Sequence, residues 1–484
     1  MQKHIESQKS IVGISWKFAE RILAQLVSLV VSIVLARLLT PKDYSVVGLT
    51  SIFFAFCNVF VSGGFNASLI QKKEADIIDF SSVLWISLTV AVIIYLILFF
   101  CAPFIAQMYN LEILTIAIRV MGITLIINAV KSVVCAYISR RLEFKKFFYA
   151  TLGGTVASAV IGIYMAKAGF GAWALIAQQM VNTTVDTIIL LAITKIKFVL
   201  RVSWKRVKML FAYGGKIFVA SIISVIYDNI KPLIVGIKFS ADDLAYYTKG
   251  RTFPQVINSS LSDSIAAVLF PVMSSVQEER TAIKNMTRRF MQISSYIIFP
   301  VLLGFFSVGD SFITLLLTKK WSGAVIYLKL FCVSFMFNIL QVGNLQAIKA
   351  IGRSDIVLRL EVIKKTSYFI IIFLFVLFFN NPFWLAASEI LCSLVAFYVN
   401  SFPNKTLIDY GLKQQLRDIF PSFMCSLIMV VCVSSLSYFK ISVAITLLLQ
   451  ILLGFIIYLL LSKLFMKERY EYVRNILIKL IDRK

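Results

Sequence analysis

The stretch SIISVIYDNIKPLIVGIKF, residues 221–239, decides the class of fold. It is apolar and long enough to cross a bilayer, because about 20 apolar residues span the hydrocarbon core. It nevertheless carries Asp228, Lys231 and Pro232 in its middle. A charge near the bilayer centre costs about 2.5–3.5 kcal/mol on insertion scales, so charged residues there usually face a polar cavity or a partner. The stretch therefore predicts a membrane helix whose charged residues face a polar cavity or a partner.

The rest of the chain is built in the same way. It has 484 residues, of which 59% are hydrophobic and 15% are charged, and soluble globular proteins are less apolar than this. Small residues such as those in TLGGTVASAVIGIYMA (151–166) favour close packing of membrane helices. We predict an all-α integral membrane protein with about 14 transmembrane helices. The candidate spans are 18–40, 44–66, 80–106, 114–138, 148–167, 171–194, 212–238, 253–275, 290–317, 322–348, 357–379, 383–402, 419–438 and 441–465.

The basic charge has a membrane explanation. The chain carries 49 Lys and Arg residues against 24 Asp and Glu, a net charge of +25. Most of the basic residues fall in alternate connections, which is the positive-inside pattern. This pattern places both termini in the cytoplasm and explains the basicity without any nucleic acid partner. The basic connection 195–208 is also expected to touch anionic membrane lipids.

Two weak internal sequence similarities predict a repeat. ARLLTPKDYSVVG (36–48) resembles GIKFSADDLAYYT (236–248), and GFGAWALIAQ (169–178) resembles NNPFWLAASE (380–389), in the same order. Two pseudo-symmetric six-helix bundles explain this order, and such repeats place a substrate site at their interface. The predicted divisions are an N-terminal lobe with helices 1–6 (1–208), a C-terminal lobe with helices 7–12 (209–402), and helices 13–14 with a basic tail (403–484).

The first of these internal similarities also contains a helix-capping pattern. Thr40 precedes Asp43 by three residues, and Ser240 precedes Asp243 by the same spacing. A hydroxyl followed three residues later by an acidic side chain caps the first turn of a helix. We expect each pair to cap a short helix at the membrane interface.

Charged residues recur in the predicted spans. Asp228 and Lys231 are one turn apart, so they either neutralise each other or face a cavity, and Pro232 predicts a helix bend. Further cations at similar depths would give a cavity of positive potential, which attracts phosphate. The candidate cations are Arg21, Lys131, Lys216, Lys231, Lys249 and Arg251. Candidates for ion coupling or salt bridges are Glu20, Asp186 and Asp228, and candidates for sugar contacts are Gln25, Asn58 and Asn66.

Several chemistries are not supported by the sequence. The only histidine is His4, and the seven cysteines lie in apolar segments without paired spacing. No glycine-rich stretch ends in the Gly-Lys-Ser/Thr of a phosphate-binding loop. We therefore predict no metal, no cofactor, no enzymatic activity and no ATP hydrolysis by this chain.

Three segments carry a family resemblance. They are GISWKFAERILAQLVSLVVSIVLARLLTPKDYSVVGL (13–49), SGGFNASLIQKKE (62–74) and SRRLEFKK (139–146). Together they resemble the polysaccharide-exporting branch of the multidrug/oligosaccharidyl-lipid/polysaccharide (MOP) superfamily, which also contains the MATE transporters. Within it the likeness is to Wzx-type O-antigen flippases and to teichuronic acid and colanic acid exporters.

The resemblance implies a fold and a substrate. Its members have two six-helix lobes, as in MATE transporters, and move an undecaprenyl-diphosphate-linked oligosaccharide across the bacterial cytoplasmic membrane by alternating access. The product feeds O-antigen, capsule or exopolysaccharide synthesis, with a polysaccharide polymerase and other assembly proteins as partners. The helix 1 arginine of the family falls on Arg21.

Other functions remain open from the sequence. A cation-coupled exporter of small molecules or drugs shares the fold, but it would favour a cavity carboxylate over several cations. A membrane enzyme would need an acidic or histidine centre at one membrane face, and a scaffold would have no use for charges within its spans.

Overall fold

The computed structural model describes residues 27–72, 74–439 and 442–481. Within these ranges nearly all residues are helical, and no strand occurs. Packing contacts divide the chain into two compact units. Unit 1 is Met1–Ala245 and unit 2 is Tyr246–Lys484.

The helices of unit 1 follow one another through short connections. The longest of them, α8, packs against α2, α3 and α4, so it belongs to unit 1. The predicted lobes of six helices each, with a boundary at residue 208, remain a prediction. The helices are α1 Val27–Leu38, α2 Pro41–Ser62, α3 Phe65–Gln71, α4 Ile77–Met108, α5 Ile113–Arg140, α6 Lys145–Lys167, α7 Ala172–Thr194 and α8 Trp204–Lys238.

In unit 2, α10 packs against α11, α15 and α16, and α11 packs against α13. Helix α9 begins just before the unit boundary. The helices are α9 Ala241–Ser274, α10 Arg280–Leu316, α11 Ala324–Ala350, α12 Ser354–Phe378, α13 Pro382–Ser401, α14 Asn404–Leu407, α15 Leu412–Ser435, α16 Val443–Phe465 and α17 Lys467–Ile481. Two short 3₁₀ helices, Lys319–Trp321 and Leu436–Tyr438, join them.

Eleven helices in the described ranges are long and apolar enough to cross a membrane, which confirms a helical, multi-pass membrane protein. The other three predicted spans coincide with α1, α9 and α12. Helix α1 is described only from Val27 onwards, α9 is more polar, and α12 carries Glu361, Lys364 and Lys365. The count of 14 spans agrees with these elements and stays a prediction.

The two predicted helix caps are confirmed. The Thr40 hydroxyl donates to Asp43 Oδ2 at 2.7 Å, and the Asp43 N–H donates back to Thr40 Oγ1 at 3.3 Å. The Ser240 hydroxyl donates to Asp243 Oδ2 at 2.7 Å, and the Asp243 N–H donates to Ser240 Oγ at 3.1 Å. Each cap starts a long helix, α2 or α9, whereas a short interfacial helix was expected.

A glycine contact joins α3 to α8 in unit 1. Gly64 adopts a positive φ of 72°, and a Cβ atom placed there would lie 2.1 Å from the carbonyl oxygen of Gly214. The Ser68 hydroxyl donates to the carbonyl oxygen of Leu210 at 2.8 Å, one turn earlier on α8. Only glycine permits both this backbone angle and this approach.

Ion pairs surround the start of α4 in unit 1. Asp79 is fully buried and accepts from Lys72 Nζ at 2.7 Å. Arg206 Nη1 lies 2.5 Å from Asp76 Oδ1, and this hydrogen bond lowers the pKa of Asp76 below its ordinary value of 3.8. The guanidinium of Arg140 donates to backbone carbonyl oxygens at the end of α3. These contacts join the connection between α3 and α4 to the end of α5 and the start of α8.

Candidate functional site

A partly buried ion pair lies among the apolar spans of unit 1. Lys131 on α5 places Nζ 2.5 Å from Asp186 Oδ2 on α7. The Lys131 side chain is 30% exposed and that of Asp186 is 12% exposed. In this setting each charge offsets the cost of placing the other within a membrane span. The structure therefore brings together one predicted cation and one predicted carboxylate.

Amide side chains extend this pair toward α2. Asn128 lies three residues before Lys131, on the same face of α5. Its Nδ2 donates to Asn58 Oδ1 at 3.1 Å, and Asn58 Nδ2 donates to the carbonyl oxygen of Phe54 at 2.8 Å. We call Asn58, Asn128, Lys131 and Asp186 the amide–charge cluster. It offers hydrogen-bond donors, acceptors and a cation within one unit.

Helix α6 packs closely against α7, the helix that carries Asp186 of the cluster. A Cβ atom at Gly154 would lie 2.8 Å from Asn182 Oδ1 and 3.1 Å from Asp186 Cβ. A Cβ atom at Gly162 would lie 3.0 Å from Gln178 Cβ, two turns further along the same contact. The glycines thus allow α6 to approach α7 closely, which holds Asp186 toward α5.

The charged residues of α8 differ in their exposure. Lys231 is 1% exposed and Pro232 is also buried, whereas Asp228 and Lys216 are exposed. The helix continues through Pro232 to Lys238. A bend at Pro232 and a role for these charges in substrate binding stay predictions.

Two further predicted cations lie in unit 2 beside aromatic rings. Lys249 is 5% exposed, and its Nζ lies 5.7 Å from the centroid of the Trp321 ring. The guanidinium of Arg251 lies 5.8 Å from the centroid of the Phe331 ring. Aromatic faces attract cations at these distances. Both side chains therefore have favourable surroundings in the folded unit, and their contact with substrate stays a prediction.

Asn66 on α3 offers an open acceptor. Among the described residues its buried Oδ1 atom has no hydrogen-bond partner, and a buried polar atom without a partner costs free energy. A hydroxyl of a ligand would satisfy it, as predicted for a sugar contact. The predicted residues Arg21, Glu20 and Gln25 lie outside the described residues.

Sequence reasoning missed Asn128. Its spacing from Lys131 was a usable signal, because residues three apart lie on one helix face. Sequence reasoning also treated Lys131 and Asp186 separately, and nothing local in either helix predicts that they pair. The described residues contain no group of three or more His, Cys, Asp or Glu side chains placed to hold a metal ion.

Unit 2 contains an apolar cavity of about 710 Å³. Its walls come from α9, α10, α15, α16 and α17, and most of its lining side chains are aliphatic or aromatic. They include Tyr296, Pro300, Phe305, Met429, Val433 and Phe455. A cavity of this size and character suits a hydrocarbon chain.

These helices form the fold of a class of solved membrane transporters. The chain matches the lipid II flippase MurJ in an inward closed conformation with a TM-score of 0.75, at 14% identity, over 95% of this chain and 99% of MurJ. An inward-facing multidrug resistance MATE family transporter of the MOP superfamily gives a TM-score of 0.63 at 15% identity, over 82% of this chain and 98% of that one. The predicted fold of the MOP and MATE type is confirmed.

The sequence places the chain within a family. The profile of the polysaccharide biosynthesis protein family matches residues 34–326, more than half of the chain, and the chain belongs to this family. The teichuronic acid biosynthesis protein TuaB of Bacillus subtilis (strain 168) is 22% identical over 353 residues, which are 71% of this chain and 72% of that protein. The resemblance to polysaccharide exporters drawn from the sequence motifs is confirmed.

Proposed function

We propose that this protein is a flippase for undecaprenyl-diphosphate-linked oligosaccharide repeat units. It moves them from the cytoplasmic to the outer leaflet of the bacterial cytoplasmic membrane by alternating access. The translocated units serve the synthesis of a surface polysaccharide such as O-antigen, capsule or exopolysaccharide. The family of the chain and the name of TuaB support the polysaccharide part of this proposal. The fold shared with a lipid II flippase supports the transport part.

The observation that carries the proposal is the amide–charge cluster inside unit 1. Lys131 Nζ is a point charge suited to a phosphate oxygen, and Asn58 and Asn128 carry the donor and acceptor groups that sugar hydroxyls need. Asp186 holds Lys131 in place while no substrate is bound. A diphosphate entering the cluster would compete with Asp186 for the ammonium group.

A lipid-linked substrate also has a long hydrocarbon tail. The apolar cavity of unit 2 offers space for part of such a chain. An apolar cavity of this size suits a substrate with a hydrocarbon tail better than a purely hydrophilic one.

The alternative, a cation-coupled exporter of small molecules, shares the fold. It would need a carboxylate that exchanges a proton or a metal cation with water. Asp186 is one of three predicted carboxylates of this kind, with Glu20 and Asp228, and its Oδ2 is 2.5 Å from the Lys131 ammonium group. An ammonium group at this distance disfavours a second cation there, so the flippase is the better interpretation.

The remaining features of the proposal derive from the substrate. Both termini lie in the cytoplasm, as the distribution of Lys and Arg predicts. The chain catalyses no covalent reaction, and its partners are membrane lipids, the lipid-linked oligosaccharide, a polysaccharide polymerase and other assembly proteins. The remaining predicted cations, Arg21, Lys216, Lys231, Lys249 and Arg251, take part in phosphate binding.

Complementation tests the proposal directly. The chain is expressed in a bacterium that lacks its own O-antigen flippase, and surface glycan is measured at equal protein level. The parent chain is expected to restore surface glycan, and Lys131→Ala is expected to lower it about tenfold or more, since a charge-assisted contact to phosphate is lost. Lys167→Ala is the matched control, because Lys167 is exposed at the end of α6, and it should retain full activity.

Two results would count against the proposal. If lipid-linked oligosaccharide stays on the cytoplasmic side in the presence of the parent chain, both in this host and in the native glycan background, the chain is not a flippase for it. If Lys131→Ala and Lys167→Ala restore glycan equally, the flippase function survives, but the role of the amide–charge cluster does not.

A further inference from the structure

Unit 2 contains a second cavity, which is basic rather than apolar. It has a volume of about 690 Å³ and lies where α10 begins, α16 ends and α17 starts. Four of its lining residues are basic and one, Glu468, is acidic. We call it the basic cavity. Its polar lining includes the side chains of Arg288, Arg289, Gln292, Lys467, Arg469 and Tyr472.

A buried carboxylate organises one wall of the basic cavity. Arg288 donates to both oxygens of Asp418, from Nε at 2.9 Å and from Nη2 at 3.2 Å. Gln292 Nε2 and the Tyr410 hydroxyl donate to the same carboxylate at 2.8 and 2.9 Å. Burial, and then the Asp418 charge, raise the pKa of Tyr410, so its hydroxyl stays a donor. This network fixes the Arg288 guanidinium in one orientation.

The other two arginines are placed without a carboxylate. Arg469 donates from Nη2 to the backbone oxygen of Asp418 at 2.6 Å and from Nη1 to Ser422 Oγ at 2.9 Å. The Arg289 guanidinium stacks 4.0 Å from the ring centroid of Tyr472. The direct partners of these two cations are neutral, and Asp418 acts on Arg469 only through its charge. The cavity therefore keeps a surplus of positive charge even when Asp418 and Glu468 are counted.

The surroundings of the basic cavity are those of a membrane interface. Helix α16 is a membrane span, and its last residues Leu464 and Phe465 are 75% and 69% exposed. Helix α17 follows after Met466. A charged amphipathic helix directly after a span lies in the interface between head groups and acyl chains. The basic groups thus lie at head-group level, and the exposed apolar side chains lie at acyl-chain level.

We propose that the basic cavity binds the phosphate of an anionic glycerophospholipid from the adjacent leaflet. Arginine guanidinium groups bind phosphate oxygens in a bidentate manner, and pockets with several basic residues at span ends bind anionic head groups. The acyl chains lie along Leu464, Phe465 and Ile293. The bound lipid links α17 to α10 and holds the C-terminal helix against unit 2. This site is separate from the amide–charge cluster and does not depend on the transport function.

Lipid binding by the purified full chain tests the proposal. Delipidated protein in detergent is titrated with phosphatidylglycerol, with phosphatidylcholine and with inorganic phosphate, and bound lipid is counted by native mass spectrometry. Phosphatidylglycerol is expected to bind at lower concentration than phosphatidylcholine. Arg289→Gln is expected to raise the half-saturating concentration of phosphatidylglycerol about tenfold. Arg289→Lys keeps the charge but loses the planar fork, so its half-saturating concentration should lie between those of the parent and Arg289→Gln.

Arg417→Gln is the matched control. Arg417 is exposed on α15 beside Asp418 and does not line the cavity, so the variant removes the same charge and should bind as the parent does. Equal binding of both lipids, or equal loss in Arg289→Gln and Arg417→Gln, would overturn the proposal. Inorganic phosphate that displaces phosphatidylglycerol at comparable concentration would assign the cavity to a soluble phosphate instead. Arg289 lies outside the Asp418 network and loses only its stacking on Tyr472, so Arg289→Gln should unfold close to the temperature of the lipid-free parent.

Discussion

At the scale of single residues, this protein tolerates charges in its spans by giving them partners. Lys131 and Asp186 form a pair between α5 and α7, and Lys249 and Arg251 lie beside aromatic rings. A pair that is mostly withdrawn from water depends strongly on both members, since removal of one leaves the other uncompensated. An exposed pair depends on its members only weakly.

The first prediction compares two ion pairs. Asp186→Asn should lower the free energy of unfolding by more than about 1 kcal/mol and by up to about 3 kcal/mol, between the values for exposed and buried pairs. Asp310→Asn is the control, because Asp310 is 62% exposed in its pair with Lys329, and it should cost less than about 1 kcal/mol. Thermal unfolding in detergent measures both. The prediction is wrong if the two variants unfold at the same temperature. It is also wrong if exchanging the two charges between Lys131 and Asp186 recovers none of the stability that Asp186→Asn loses.

The second prediction concerns pH. The Arg206 hydrogen bond lowers the pKa of Asp76 in the folded protein, so the stabilisation it provides is complete above the ordinary value of 3.8 and is lost as the pH falls through the lower, folded value. Arg206→Gln should therefore be less stable than the parent at neutral pH, and the difference should shrink below pH 3.8. Unfolding temperatures across the acid range measure this. Arg201→Gln, at an exposed residue of the connection just before α8, should show no such trend, and a difference that grows on acidification would contradict the prediction.

At the scale of elements, small residues decide how closely helices approach. Gly154 and Gly162 bring α6 against α7, and Gly64 and Gly214 bring α3 against α8. Without hydrophobic driving force between helices in lipid, such close packing is a main source of association. Loss of a contact glycine should therefore move whole helices, and with them the side chains that they carry.

The third prediction separates backbone strain from helix contact. Gly64 and Gly169 both have positive φ, of 72° and 84°, but only Gly64 has a neighbour that a Cβ atom would strike. Gly169→Ala should cost about 1–2 kcal/mol, the strain of a left-handed residue with a Cβ atom. Gly64→Ala should cost clearly more, because α3 must also move away from α8. Thermal unfolding and expression level measure the difference, and equal destabilisation would show that the contact with Gly214 is not tight in solution.

At the scale of the whole molecule, charge outside the spans sets the orientation in the membrane. The connection between α7 and α8 is basic, whereas the turn between α6 and α7 has no basic residue and follows a single one, Lys167, at the end of α6. The positive-inside rule predicts that the first lies in the cytoplasm and the second outside. The side of the membrane on which each of these two connections lies therefore reveals the topology of the chain.

The fourth prediction tests this topology. In a chain whose seven cysteines are replaced by serine, Phe170→Cys should react with a membrane-impermeant maleimide in intact cells. Lys197→Cys should react only after the cells are permeabilised. The unlabelled cysteine-free parent is the control. Labelling of both variants in intact cells, or the reverse pattern, would contradict the predicted orientation.

Local signals made much of the fold predictable from the sequence. Long apolar runs predicted the helices, and the pairs Thr40–Asp43 and Ser240–Asp243 predicted two caps that the structure contains. Each of these signals acts over a few residues. The expected length of the capped helices was wrong, because where a helix ends depends on the connections and neighbours that come after it.

Long apolar runs were enough to predict a helical membrane protein, because bilayer thickness and backbone hydrogen bonding leave such a run no other choice than a helix. Sequence similarity was enough to assign the polysaccharide biosynthesis family. Which charges meet became known from the folded helices alone. Lys131 pairs with Asp186, and Arg288, Arg289 and Arg469 gather at one cavity, across segments that are distant in the sequence. The physical reason is that ion pairs and cavities depend on how the helices pack and rotate against each other. This packing results from contacts between side chains that are far apart in the chain.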